Sequence, residues 1–429
     1  MGRIPSSENK IGFVFVIESR PFGFKFVFLH PPLNPFRMVR NFLKRNFISP
    51  LLEFIHDSRA VGILIILNTA LSLLFANTAW GTSYVQALNA ELHLPGPLHL
   101  PHSLLHWIND GLMAIFFFMV GMEIKRELMV GELASIKKSI MPVMGAIGGM
   151  LVPACIFLAF NAGGNNTNGW GIPMATDIAF SLGVASLLGS RAPVALKIFL
   201  TALAIIDDLG AILAIAVFYT STLHWGYLLS GLGIFAGLII WTRSKLPFGI
   251  WNFIAGMLIW YLIFNSGIHA TIAGVLFAFT IPLNRLSKIE HALHNYVNFL
   301  IIPIFVIANT AIIIPSGMLS ELTTPLSLGI ILGLLLGKPG GILLFCWLSV
   351  QLKLGELAKG LQWKHMMGLG LLAAIGFTMS IFISMLAFKD TYTQDVSKMA
   401  VMTASFIAIA ASYAWFKLFT KPSRSKTVV

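Results

Sequence analysis

The chain has 429 residues, 57% of them hydrophobic and only 11% charged, where an average soluble domain carries about 25% charged residues. That balance excludes a soluble globular protein, and the length allows about ten to twelve helices of roughly 20 residues each; no alternating ten-residue pattern dominates, which argues against a β-barrel. The formal net charge is +12, but the Lys and Arg lie mainly between apolar runs, so it reads as membrane topology and not as nucleic-acid binding.

Residues 1–47 mix short apolar pieces with Pro and basic residues, and no piece is long enough to span. A signal peptide fits poorly, because no apolar region is followed by a small-residue cleavage site. This stretch reads as a cytoplasmic extension or as a start-site artefact, with translation beginning at Met38, where an ordinary basic leader starts. Residues 48–422 form the transmembrane domain and 423–429 a cytoplasmic tail. Twelve apolar spans are expected: 59–77, 104–124, 139–160, 173–189, 193–219, 225–242, 248–264, 267–281, 292–314, 327–350, 365–388 and 396–418. The loops between them alternate in basic charge: 125–138, 243–247, 282–291 and 351–364 are basic, whereas 78–103, 161–172, 220–224 and 315–326 hold no Lys or Arg. Lys389 is a mild exception. This bias places both termini in the cytoplasm.

In the outer loop, Glu91 to Leu100 alternates apolar and polar residues around Pro95-Gly96, the pattern of a short hairpin. An exposed hairpin edge can pair with its own copy; the same residues read equally well as a floppy loop. The two cysteines, Cys155 and Cys346, sit in apolar segments and read as small core residues, without a disulfide framework.

The fifth span carries the most expensive feature, Asp207-Asp208 in the middle of the run Val194 to Tyr219. One acid near the bilayer centre costs roughly 2.5–3.5 kcal/mol on insertion scales, so the default reading of an adjacent pair is an ion or proton site. Asp177 lies in the fourth span after Pro173, and the eleventh span has a weak point at Ala374-Ile375-Gly376-Phe377-Thr378. A helix break there would free backbone groups that need new partners, and paired interrupted helices mark transporter binding sites. Small-residue helix packing would also account for these glycines and hydroxyls. Broken helices expose half-dipole ends; Asp177 can offset two facing N-termini, and Lys338 in the tenth span can offset two C-termini or pair with Asp207 or Asp208. Glu123, Arg126 and Glu127 are spaced for a local ion network. His269 can titrate near neutral pH, although a helix-packing histidine is the commoner case. Glu290, His291 and His294 lack the HExxH spacing of a metal site, so no metal is assigned to them.

Together, Ala175-Thr176-Asp177-Ile178-Ala179-Phe180, the run from Leu196 through Ile205-Ile206-Asp207-Asp208-Leu209-Gly210, Gly337-Lys338-Pro339 and Gly376-Phe377-Thr378-Met379-Ser380 resemble the NhaA sodium/proton antiporters of bacterial inner membranes. The resemblance covers about residues 50 to 420, with one local departure at Gly340. It implies twelve helices, with spans three to five and ten to twelve as an inverted-topology repeat whose fourth and eleventh spans are unwound where they cross, at Ile178 and at Gly376, Phe377 and Thr378. It implies that Asp207 and Asp208 hold sodium or protons with Thr176 as a further ligand, that Asp177 and Lys338 compensate the dipoles, and that Lys338 pairs with Asp207 in the resting state. It places Glu123, Arg126, Glu127, Glu290, His291 and His294 in a pH-responsive region, links His269 to the same response, and leaves Asp110 with a less defined role. It implies an electrogenic exchanger that takes two protons per sodium; the accompanying expectations are outward movement of Na⁺ and Li⁺ against H⁺, no resident cofactor, and a homodimer joined through the 88–100 hairpin edge.

The physical logic is independent of the name. A carboxylate pair away from water needs a proton or a hard cation to neutralise it, so the two compete for the same oxygens. An intramembrane aspartyl protease also needs two acids, but on different helices facing one water. A passive channel would need a filter, and no filter repeat is present. An exchanger of the same fold for K⁺ stays open at this stage.

Overall fold

The computed structural model describes residues 58–92, 99–220, 222–244, 246–314, 317–358 and 360–421. The expected extension 1–47, the start at Met38 and the tail 423–429 lie outside the described residues. Among the described residues the regular structure is helical, without a strand. The elements that matter here are α1 (Ser58–Ala76), α2 (Leu104–Met129), α3 (Ile136–Asn161), a 3₁₀ segment (Thr167–Met174) leading to α4 (Ile178–Leu187), α5 (Val194–Phe218), α6 (Trp225–Arg243), α7 (Ile250–Asn265), α8 (Thr271–Thr280), α9 (Leu283–Asn309), α10 (Pro325–Gln351), α11 (Trp363–Ala373), α12 (Phe377–Ala387) and α13 (Thr391–Phe419).

Among the described residues, nine of these helical stretches are long and apolar enough to cross a membrane, and α11 with α12 makes a tenth if the pair, bent by 48°, is one crossing. Helices α7 and α8, at 16 and 10 residues, are shorter. The outward face of α7 is apolar: Met257 is 73% exposed and Trp251 72%. Surface of that kind is stable against lipid and not against water. The chain is therefore a polytopic helical membrane protein.

Apolar composition locates the bilayer better than it locates helix ends. The ninth span, expected from residue 292 with a basic loop at 282–291, begins as helix at Leu283. Its first turns, Leu283–Tyr296, are amphipathic, with polar side chains in water and Leu286 buried, so hydropathy alone misses them. The same helix ends at Asn309, short of the expected 314. Cys346 is buried as expected, whereas Cys155 is exposed on α3, because an apolar residue in a membrane helix can face lipid as readily as core.

Among the described residues, three π-helical turns interrupt the helices, at Trp107–Leu112, Val297–Ile301 and Gly333–Gly337. Pro303 and Pro339 each follow such a turn by two residues. A proline lacks the N–H for an i→i−4 bond, and its ring crowds that carbonyl, so the preceding turn widens. The widened turn at Gly333–Gly337 delivers Lys338. Helix α10 lies tightly against α3: a Cβ on Gly148 would stand 2.2 Å from the Gly341 carbonyl, and one on Gly341 would stand 2.1 Å from the Gly148 carbonyl. Only glycine lets the backbones approach this closely.

In the outer loop, the Leu92 N–H donates to the His102 carbonyl at 2.7 Å, and Glu91 and Ser103 form an isolated antiparallel bridge. The Pro95-Gly96 turn of the expected hairpin lies outside the described residues.

Candidate functional site

Two interruptions meet in the middle of the bundle. Residues 175–177 leave the helical conformation between the 3₁₀ segment and α4, and 374–376 do so between α11 and α12. Ile178, Phe377 and Thr378, expected in the breaks, instead open the helices that follow, and Gly376 is the residue capping α12. The reason is local. Asp177 has extended backbone geometry and caps α4 by accepting from the Phe180 N–H at 2.9 Å, which satisfies an otherwise orphan donor.

The breaks bond to each other. The Asp177 N–H donates to the Ile375 carbonyl at 2.8 Å. The other Asp177 carboxylate oxygen accepts from the Thr378 N–H at 3.1 Å and from the Thr378 hydroxyl. Asp177 thus lies at the N-termini of both α4 and α12, where half-positive ends favour an anion. The hydroxyls of Ser181 and Ser380 donate to the carbonyls of Leu372 and Ile172, at 2.8 and 2.7 Å.

Alongside lies the acid pair of α5, with Asp207 1% and Asp208 2% exposed. Asp207 Oδ2 faces Lys338 Nζ at 2.9 Å and accepts from the Thr176 hydroxyl at 2.7 Å. That hydroxyl also lies 3.1 Å from the Ala373 carbonyl. Lys338 is fully buried and donates as well to the carbonyl of Met174, the last residue of the 3₁₀ segment. Among the described residues, Asp207 Oδ1 and Asp208 Oδ1 have no hydrogen-bond partner. Buried carboxylate oxygens without a donor are costly and call for a ligand. Five residues singled out from sequence, Thr176, Asp177, Asp207, Asp208 and Lys338, are therefore supplied by three elements that meet at one place.

The residues grouped as pH-responsive divide into two places. Arg126 on α2 lies 3.3 Å from Glu127, 3.9 Å from Glu123 and 3.3 Å from Glu290 of α9. One turn further along α9, His294 contacts Asn298 at 3.0 Å, and His291 is exposed. His269 is elsewhere: its Nε2 is 2.9 Å from the Tyr219 carbonyl, just before α8. Lys125, next to Arg126, donates to the carbonyls of Phe279 and Ile281 at the other end of α8. Ten residues of helix separate the two places by about 15 Å. Asp110 accepts from neither group but faces His106 Nε2 at 2.9 Å.

Sequence reading missed the backbone carbonyls of Met174, Ala373 and Ile375 and the hydroxyl of Ser181. Any residue has a carbonyl, and serine in an apolar helix is ordinary, so no local signal marks them.

A sequence model described as Na⁺/H⁺ antiporter 1 matches residues 52–416. The chain belongs to this antiporter family. Among its relatives, the Na⁺/H⁺ antiporter NhaA 2 of Flavobacterium johnsoniae is 49% identical over 377 residues, covering 86% of this chain and 92% of the relative. The NhaA of Flavobacterium psychrophilum is 47% identical, over 86% of this chain and 96% of its own length. That of Cytophaga hutchinsonii is 44% identical, over 86% and 95%. The matched residues 52–416 include the two breaks and the acid pair of α5.

Proposed function

We propose that this chain is a secondary active transporter of a bacterial inner membrane that extrudes sodium in exchange for protons, with no catalytic chemistry and no resident cofactor. The observation that carries the reading is the buried carboxylate of Asp207, shared by Lys338 and Thr176 beside two partnerless oxygens, Asp207 Oδ1 and Asp208 Oδ1. Sodium is a hard cation that seeks such oxygens. Asp208 holds the cation throughout. Asp207 exchanges its Lys338 partner for sodium and takes Lys338 back when the site is proton-loaded. Asp177 and Lys338 offset the helix ends at the two breaks. Because proton and sodium neutralise the same oxygens, the site carries one or the other as it turns between the two faces. Two protons per sodium make the cycle electrogenic, and lithium substitutes for sodium.

The fold reading that accompanies this function has twelve membrane segments, with α7, α8 and the bent α11–α12 pair each counted as one. Spans three to five and ten to twelve form the inverted repeat, crossing at the two breaks. Both termini lie in the cytoplasm, as the basic loops require, and the 88–100 hairpin joins two copies. The Glu123, Arg126, Glu127, Glu290, His291 and His294 group sets the pH response from the cytoplasmic end, and His269 acts on it from the opposite end.

The test is proton movement in everted membrane vesicles, read with a pH-sensitive dye while Na⁺, Li⁺ and K⁺ are added in turn. Sodium and lithium should each collapse a preformed pH gradient and potassium should not. A response to potassium alone would replace the sodium reading, and no response to any cation would remove the exchanger reading. Acidifying the cytoplasmic face should raise the sodium concentration needed for half-maximal exchange.

A further inference from the structure

We propose that Tyr219 is a positioning residue for the cation site, a clasp that fixes the far end of the 3₁₀ segment to α5 and so holds Thr176 against Asp207. The inference rests on the exchanger reading above. Tyr219 is the residue that follows α5. Its hydroxyl donates to the Asn168 carbonyl at 2.6 Å and accepts from the Gly171 N–H at 3.2 Å. Its ring stacks on Trp170 with centroids 6.3 Å apart and planes inclined by 21°, and Phe218 meets the same indole edge-on at 5.1 Å. The Tyr219 carbonyl is itself held by His269. Four consecutive residues of the 3₁₀ segment, 168 to 171, thus include three that are gripped from the end of α5.

The lengths match. From Asp207 to Tyr219, α5 advances twelve residues, about 18 Å. From Asn168 to Met174 the neighbouring chain advances six residues, about 12 Å at the 3₁₀ rise, and two extended residues to Thr176 bring it to about 19 Å. The segment runs beside α5 and is pinned at both ends: at Tyr219, and at the site, where Thr176 meets Asp207 and Met174 meets Lys338. A cation that enters must loosen the pin at the site, because it takes over the carboxylate that Lys338 and Thr176 share. The pin at Tyr219 does not touch the cation, so it keeps Thr176 within reach while the other contact changes. Ser380 braces the segment from α12 through the Ile172 carbonyl.

The experiment uses the full-length chain in everted vesicles, with sodium as the varied substrate. Tyr219→Phe keeps the ring on Trp170 and removes both hydroxyl bonds. It should raise the KM for sodium about three- to tenfold, the range expected for one or two lost hydrogen bonds, with kcat within about twofold of the parent. Trp170→Phe, which weakens the stack and leaves the hydroxyl bonds, should raise KM in the same direction and by less. Thermal unfolding in detergent identifies a variant that fails to fold; if Tyr219→Phe is such a variant, Trp170→Phe decides. Unchanged KM in the folded variants overturns the clasp, as does a fall in kcat and thermal midpoint with KM unchanged, the result of a purely structural role. A parent without sodium-dependent proton movement overturns the exchanger reading and the clasp with it, whereas an active parent with an unchanged Tyr219→Phe overturns the clasp alone.

Discussion

Lys338 and Asp207 should behave in a double-mutant cycle as a pair that water cannot screen. Both side chains are 0% exposed and their charged atoms are 2.9 Å apart. At an effective dielectric of 20, two unit charges at that distance attract by roughly 6 kcal/mol. Part of this repays desolvation, and breaking a buried pair by removing one partner costs about 3–5 kcal/mol. In Asp207→Asn the Lys338 ammonium keeps the Met174 carbonyl and loses its counter-charge. In Lys338→Met the Asp207 carboxylate keeps only the Thr176 hydroxyl. Each single variant should therefore unfold at a clearly lower temperature than the parent in detergent. The double variant removes both charges of the pair together, and neutral replacement of a buried pair is often tolerated or stabilising. Its midpoint should lie above that of Asp207→Asn, with a coupling of at least about 2 kcal/mol. Additive losses, with the double variant the least stable of the three, would refute the claim that the two charges compensate each other.

Asp208→Asn should abolish sodium-dependent proton movement in vesicles while leaving the thermal midpoint within a few degrees, because Asp208 Oδ1 holds no hydrogen bond to lose; full activity in this variant would remove Asp208 from the site. Thr176→Val keeps the shape of the side chain and removes the donor to Asp207, so half-maximal sodium should rise about three- to tenfold, measured by the same dye response. Asp390 caps α13 by accepting from the Thr393 N–H at 2.8 Å, and that bond holds its carboxyl below the usual carboxylate value. A depressed folded value stabilises folding while the group is charged, so Asp390→Ala should cost about 1 kcal/mol at neutral pH. The difference from the parent should shrink as pH falls through and below the ordinary carboxylate range. A constant difference in thermal midpoint down to pH 3 would contradict the capping assignment.

The acid pair was legible because charge in an apolar run has a price that composition alone exposes. Lys338 was legible for the same reason, and Asp177 because Pro173 precedes it. The partner of each was not. Pairing Lys338 with Asp207 and not with Asp208 depends on which way α5 is turned, and successive residues on a helix differ by about 100°. The carbonyls that receive Thr176, Lys338 and the Asp177 N–H carry no side-chain signal at all. The start of α9 at Leu283 was hidden because hydropathy reports lipid contact, and the amphipathic turns before residue 297 lie where polar side chains meet water. His269 was grouped with Glu290 by family resemblance, and the length of α8 separates them.

The bonds at the two breaks join residues far apart in the chain: 197 positions lie between Thr176 and Ala373, 201 between Asp177 and Thr378, and 164 between Met174 and Lys338. A chain synthesised from its N-terminus enters the membrane with α4 and α5 long before α10 to α12 exist. During that interval Asp177 lacks the Ile375 and Thr378 groups that it later bonds, and Asp207 lacks Lys338. Early α5 must therefore wait with its acids neutral or near the water interface, and the site closes only when the last third of the chain arrives. Truncation before α10 removes more than the missing helices, because it leaves Asp177 and Asp207 without the partners that the last third of the chain supplies.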